Sequence, residues 1–328
     1  MLAIIGASGK LGGATLAALL SYKLAEPSKI VAITSSQPGS GTWTSLEAKG
    51  VTVRHGTFDD EATLEAALQG CEKFFLVSTP RIELDYGDAP EGQGREKHHR
   101  AAIDAAVRAG VAHIYYSSLA FGSPSKAGVM RAHLRTEAYL ASLSGKVAST
   151  VVREGLYNES WPLYLGYYDP AADDRGEVPL AGDGRICWTA IEDLGLGSAL
   201  VLVAPGAEYA GQTFYLSTPP STAKTLREVA ALVAAGRGRD VSVKKVDTLA
   251  HEGYYVGQRG MDALSVQWWA GTYDALEDGE CLIDDPTLSR LLASRGKEPV
   301  PMEETVRSMV SGTEKCARSK MSEEQEGK

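Results

Sequence analysis

The sequence predicts an α/β protein, a doubly wound parallel sheet followed by a smaller α/β C-terminal cap. Three observations carry that expectation. Short apolar runs of strand length alternate with segments of helical period over the first 155 residues, a glycine-rich turn joins the first run to the first helical segment, and the pattern loosens after Gly155. The 328 residues are 44% hydrophobic and 23% charged, enough apolar content for one large core or two unequal ones.

The strands are expected at Leu2 to Ile5, Ile30 to Ile33, Val51 to Arg54, Lys73 to Val77 and His113 to Ser117. Helical periods at Leu11 to Leu20, Ala62 to Leu68 and Lys97 to Arg108 lie between them, and right-handed crossovers make the sheet parallel. A helix at His133 to Leu143 leads into a sixth strand, Ala148 to Arg153. Tyr157, Trp161, Tyr164, Tyr167 and Tyr168 then crowd before the turn-rich stretch Asp169 to Gly176, the composition of a pocket wall. A strand at Ile186 to Thr189, a helix at Glu192 to Val203, a strand at Thr213 to Ser217 and a helix at Thr225 to Ala235 follow. Residues 1–155 form the first domain on this reading, 156–312 a cap partly interleaved with its sheet, and 313–328 a polar tail without apolar period, expected to be disordered.

Asp and Glu outnumber Lys and Arg 42 to 33, a net charge of -9, so the basic excess that phosphate-backbone binding exploits is missing and nucleic acid is not expected as a partner. Cys71, Cys187, Cys281 and Cys316 form no Cys-x-x-Cys pair, which argues against a zinc site or a disulfide framework and for a reducing, cytoplasmic setting. Glycines and Lys10 interrupt the apolar N-terminus, and no run approaches the roughly 20 apolar residues of a bilayer span, so a soluble monomer or homodimer without membrane contact is expected.

Gly6-Ala7-Ser8-Gly9-Lys10-Leu11-Gly12 follows the first strand and opens the first helix. Such a turn presents backbone N-H groups at a helix N-terminus, and its glycines let a pyrophosphate approach closely, as in the Rossmann dinucleotide fold. The spacing is Gly-x-x-Gly-x-x-Gly, the form typical of extended and atypical short-chain dehydrogenases. At the end of the second strand, where an NAD enzyme carries an acid for the ribose 2'-hydroxyl, stand Thr34, Ser35 and Ser36. Ser35 is assigned to the ribose, and NADP(H) is favoured over NAD(H). Phe58 and Asp59 are candidates to flank the adenine, with Asp59 or Asp60 equally suited to cap the next helix. Ser78, Thr79 and Pro80 after the fourth strand and Ser117 at the end of the fifth are expected beside the ribose and nicotinamide, with Ser118 a candidate donor to a substrate oxygen.

The glycine turn, Val53-Arg54-His55-Gly56 with Phe58-Asp59-Asp60, Tyr116-Ser117-Ser118-Leu119 and Val152-Arg153-Glu154-Gly155-Leu156-Tyr157 together resemble the NmrA-like branch of atypical short-chain dehydrogenases. The likeness extends through Ala181-Gly182-Asp183-Gly184-Arg185 and Asp284-Asp285, hence over most of the chain, and within the branch it is greatest to NAD(P)H:quinone oxidoreductases of type two and looser to fungal aromatic-polyketide reductases. It implies a Rossmann fold and an NADP cofactor, with Glu154 among the cofactor-side residues. Because the branch includes regulators that bind NADP without catalysis, activity is implied less strongly.

The Tyr-x-x-x-Lys pair of typical short-chain dehydrogenases is absent; the corresponding helix reads His133-Leu134-Arg135-Thr136-Glu137. His133 either contacts the nicotinamide ribose or relays a proton, or is a surface histidine paired with Glu137 one turn away. Quinones accept hydride readily and take their proton from water, so a dedicated acid is dispensable for them. Tyr157, with Asn158 and Trp161, is placed to line the crevice at the sheet's C-terminal edge or to pack the cap. Asp85, Asp88 and Glu91 are read as a solvated loop, His98-His99 as solvent-facing, and no metal site is expected. The reading is hydride transfer from NAD(P)H to a small quinone or conjugated aromatic carbonyl. The alternatives are an NADP-sensing regulator and a polyketide-pathway reductase acting on an epoxide or dienone.

Overall fold

A computed structural model describes residues 1–312; the expected tail, residues 313–328 with Cys316, lies outside the described residues. The first half alternates as β1 (Leu2–Ile5), α1 (Lys10–Ser21), β2 (Ile30–Thr34), α2 (Gly41–Glu47), β3 (Thr52–His55), α3 (Glu61–Leu68), β4 (Lys73–Val77), α4 (Glu96–Arg108), β5 (His113–Leu119), α5 (Met130–Ser142) and β6 (Ala148–Glu154). β1 and β2 are buried along their whole length because helices cover both faces, which is why they read as unbroken apolar runs rather than alternating ones.

The second half begins with β7 (Leu156–Tyr157) and α6 (Trp161–Tyr164), then β8 (Glu177–Leu180), β9 (Trp188–Thr189), α7 (Ile191–Val203), α8 (Gly206–Tyr209) and β10 (Thr213–Leu216). α9 (Leu226–Arg237), β11 (Ser242–Lys245), α10 (Thr248–Gly253), α11 (Ala263–Glu277), α12 (Thr287–Ala293) and α13 (Met302–Ser311) complete it. α9 starts at a reciprocal capping box between Thr225 and Glu228 and stops at Gly238, whose φ of 63° a side chain would resist.

All seven strands of the main sheet run parallel in the order β10-β6-β5-β4-β1-β2-β3. The order reverses between β1 and β4, the switch point at which open α/β sheets bind ligands. Residues beyond 155 thus return to the sheet: β10 extends it beside β6, and α7 packs against α1, where a Cβ on Gly195 would lie 2.6 Å from the Ala14 carbonyl carbon. One core cluster lies between the sheet and α1 and α7, a second between the sheet and α3, α4 and α5. The third belongs to the C-terminal lobe, where β8 pairs with β11 and β7 with β9, and it reaches back to Phe121, Ala127 and Met130 just after β5. No helix among the described residues is long and apolar enough to cross a membrane.

Candidate active site

The turn between β1 and α1 is folded on itself. Gly9 N-H donates to the Gly6 carbonyl at 2.8 Å, Gly6 adopts φ +70°, and a Cβ on Gly12 would sit 2.3 Å from the Gly6 oxygen. Gly6 and Gly12 are therefore required by the turn itself, whereas Gly9, with Ser8 and Lys10, is exposed on its outer side. Leu11 sends its side chain into the core and offers a ligand only its backbone. No side chain caps α1 and no acid stands in its first turn, so its leading N-H groups remain available to an anion. The cradle fits a dinucleotide pyrophosphate.

Along the C-terminal edge, Ser35 is exposed beyond β2, and Thr34 Oγ1 accepts from Ser36 N-H at 3.2 Å. Phe58 stacks on His98 with centroids 5.9 Å apart. Asp60 takes the capping role, accepting from Ala62 N-H at 3.0 Å. Asp59 is exposed and bonded through both carboxylate oxygens to Arg81, which holds its pKa down at about 2.

The β4–α4 turn is gripped from several sides. Ser78 N-H donates to Ser117 Oγ at 3.1 Å, Thr79 N-H to His99 Nε2 at 3.1 Å, and Arg95 Nη1 to the Thr79 carbonyl at 3.3 Å, leaving Pro80 exposed. Two expectations for this region are corrected. His99 is fully buried rather than solvent-facing, because it lies on the α4 stripe of Ala102, Ile103 and Ala106. Asp85 is not part of a solvated loop: it is 2% exposed and pairs with buried Arg95 at 2.6 Å. Among the described residues no cluster suited to a metal exists.

The surface-histidine reading of His133 is also overturned. The ring is 1% exposed, its Nδ1 lies 2.8 Å from the Tyr116 hydroxyl, and burial beside Arg95 pushes its pKa well below the ordinary histidine value. Glu137 pairs instead with Arg153, at 2.7 Å, and accepts from Ser118 Oγ at 2.6 Å, so the Ser118 proton is committed within the protein rather than to a substrate oxygen. Glu154 is fully buried at the end of β6; Ser198 Oγ donates to its Oε1 at 2.9 Å, its Oε2 has no partner among the described residues, and burial pushes its pKa up to about 8.

Of the three crevice candidates, Tyr157 alone stays half-buried. Trp161 is sealed in the lobe's core, and Asn158 bonds Thr305 Oγ1 at 3.0 Å and the Val300 carbonyl. The lobe's aromatic core combines Tyr164 and Tyr167, named above as wall candidates, with Tyr86, Trp188, Trp268 and Trp269, to which the sequence assigned no role. Tyr86, extended at the kink that interrupts the helical turns of Ile82–Asp88, donates to Ser265 Oγ at 3.0 Å and packs on Trp268 with centroids 5.5 Å apart. Tyr164 meets Trp269 at 5.1 Å and Trp188 at 5.3 Å. Tyr167 stands nearby with φ 54°, a left-handed conformation unusual for an aromatic residue, directly after Gly166. The buried indole N-H groups of Trp161, Trp188 and Trp268 have no acceptor among the described residues. The adjacent Trp268-Trp269 pair was the available signal in the sequence.

Residues 1–252 match the NmrA-like family. The chain belongs to that family. It is 34% identical over 246 residues to quinone oxidoreductase 2 of Escherichia coli, covering 75% of this chain and 78% of that one. It is 29% identical over 313 residues to the NmrA-like family domain-containing oxidoreductase flvB of Aspergillus flavus, covering 94% of each. Among solved structures, an NADPH-dependent quinone oxidoreductase of Escherichia coli complexed with NADPH aligns with TM-score 0.75 and 29% identity over 93% of this chain and 98% of that one. A Citrobacter sp. triphenylmethane reductase complexed with NADP(H) aligns with TM-score 0.74 and 25% identity over 94% and 99%.

Proposed function

We propose that this NmrA-like protein is an NADP(H)-dependent reductase that delivers hydride to a quinone or a related conjugated aromatic carbonyl. The observation that carries this reading is the glycine cradle, whose uncapped helix start suits a dinucleotide pyrophosphate, on a sheet followed by an aromatic-rich lobe. A flat conjugated acceptor suits a site bordered by aromatic rings. The relatives named as quinone and triphenylmethane reductases support the same reading.

Bound NADPH supplies the hydride. The N-H groups at the start of α1, across Ser8, Lys10, Leu11 and Gly12, hold the pyrophosphate, with Gly9 giving it room to approach; Ser35 borders the adenosine ribose without an acid to repel a 2'-phosphate. Phe58 flanks the adenine. Ser78, Thr79, Pro80 and Ser117 border the nicotinamide end, with Glu154 at the neighbouring strand end and the half-buried Tyr157 ring beside the acceptor. Proton donation is a minor part of the chemistry: the Ser118 hydroxyl is spent on Glu137, and the neutral, buried His133 is a poor acid. The electrophilicity of the acceptor therefore carries the reaction.

The test is NADPH oxidation by purified protein across quinones, enones, aldehydes and simple ketones. Quinones should turn over at least about 10²-fold faster than simple ketones, since a positioned acid typically contributes 10²- to 10⁴-fold. Equal rates would overturn the acid-free mechanism. NADPH binding without turnover of any acceptor would instead favour a sensing role.

A further inference from the structure

His99 is buried on α4, yet it touches the turn assigned above to the nicotinamide end. A peptide N-H can only donate, so the His99 Nε2 facing Thr79 carries a lone pair and the ring proton sits on Nδ1. Nδ1 lies 2.8 Å from Thr136 Oγ1, whose own proton goes to the Ala132 carbonyl at 2.8 Å, so the threonine oxygen accepts from the ring. The Tyr116 hydroxyl, 3.3 Å from that protonated Nδ1 and 2.8 Å from His133 Nδ1, donates to His133. One tautomer thus satisfies both nitrogens of His99 and ties α4, α5, β5 and the β4–α4 turn into a single buried network. On the turn's other sides are Ser117, accepting from Ser78 N-H, and Arg95, donating to the Thr79 carbonyl and itself fixed by Asp85.

We propose that His99 is a positioning residue: by accepting the Thr79 N-H it fixes the Ser78–Pro80 turn in the one orientation that sets the nicotinamide ring for transfer. The proposal rests on the reading that this turn borders the nicotinamide. Near-attack geometry tolerates little displacement, so a turn that drifts when its N-H loses its acceptor slows the reaction while leaving the pyrophosphate and adenosine contacts in place.

Two conservative variants separate this from packing. In His99→Asn the short amide keeps the Thr136 side and falls short of Thr79; in His99→Gln the longer side chain brings a carbonyl to the Thr79 N-H. Expected for His99→Asn is a fall in kcat of about tenfold or more with NADPH Kd within about threefold, and bound-NADPH fluorescence shifted towards that of free cofactor. His99→Gln should recover kcat and emission to within about threefold of wild type. Long-range ¹H–¹⁵N spectra of the wild-type protein should show His99 protonated on Nδ1. Wild-type kcat and emission in folded His99→Asn, equal losses in both variants, or a ring protonated on Nε2 would each overturn the proposal. Should the wild-type protein reduce no acceptor, the reductase reading fails, and the fluorescence of bound NADPH in the two variants still decides the role of His99.

Discussion

Ser35 stands exposed at the end of β2 with no acid beside it on that strand. An aspartate there would accept from a ribose 2'-hydroxyl and repel a 2'-phosphate. Ser35→Asp should move the ratio of NADPH to NADH dissociation constants at least tenfold, about 1.4 kcal/mol, towards NADH in calorimetric titration; an unmoved ratio would remove Ser35 from the ribose. Glu154 makes a prediction of opposite character, about stability. Its folded pKa, about 8, lies above the unfolded value, so its contribution is fully present below about pH 4.5 and is lost as pH rises through 8. Glu154→Gln keeps the Ser198 contact without titrating, so its stability relative to wild type, read from urea midpoints, should improve steadily from pH 5 to pH 8. Some residues were legible in sequence and others were not, for a physical reason. The glycines announce themselves because backbone geometry admits nothing else, whereas His99 and Asp85 look like surface groups until their partners, Thr79, Thr136 and Arg95, are brought to them by the fold.

At the scale of elements, the β1–α1 turn separates two kinds of glycine. A side chain at Gly12 collides with the Gly6 carbonyl, so Gly12→Ala should cost about 2 kcal/mol of stability or more in chemical denaturation. At Gly9 the nearest atom to an added Cβ is 3.2 Å away and the outer side is open, so Gly9→Val should fold and lose more than tenfold in NADPH affinity. Unchanged affinity in folded Gly9→Val would refute the phosphate site. β1, β2 and β4 were readable because helices cover the sheet and leave apolar runs, whereas β3, exposed or half-buried along its length, showed itself only through Val51 and Val53. β8 and β11 escaped: each has only four residues, and β11 buries Val243 alone among exposed Ser242, Lys244 and Lys245. α11 escaped for a different reason, since it is buried around much of its circumference and carries no clear one-sided stripe.

The whole molecule should be sensitive to acid. Burial holds His99 and His133 well below the ordinary histidine value and His113 and His251 at about 4. The unfolded chain takes up these protons as pH falls below about 6.5 while the native protein refuses them, so stability present above that pH is lost below it, by up to about 1.4 kcal/mol per pH unit for each ring. Buried Asp193, raised to about 6, and Glu154 oppose this over part of the window. Urea midpoints should nevertheless fall between pH 6.5 and pH 4.5; a flat profile would show that the rings are not buried neutral in solution. The segment between β4 and α4 has a wider consequence. Its first residues lie at the edge proposed for the cofactor, and Tyr86 a few residues later is bonded to Ser265 and packed on Trp268 in the lobe. With cofactor and acceptor at its two ends as proposed, occupancy of one end is expected to restrict the other, and by thermodynamic reciprocity the two affinities then shift by the same factor. NADP⁺ at saturation should tighten binding of a non-reducible aromatic analogue severalfold, the analogue should tighten NADP⁺ equally, and Tyr86→Phe, which deletes the bond to Ser265, should reduce that heterotropic cooperativity towards unity.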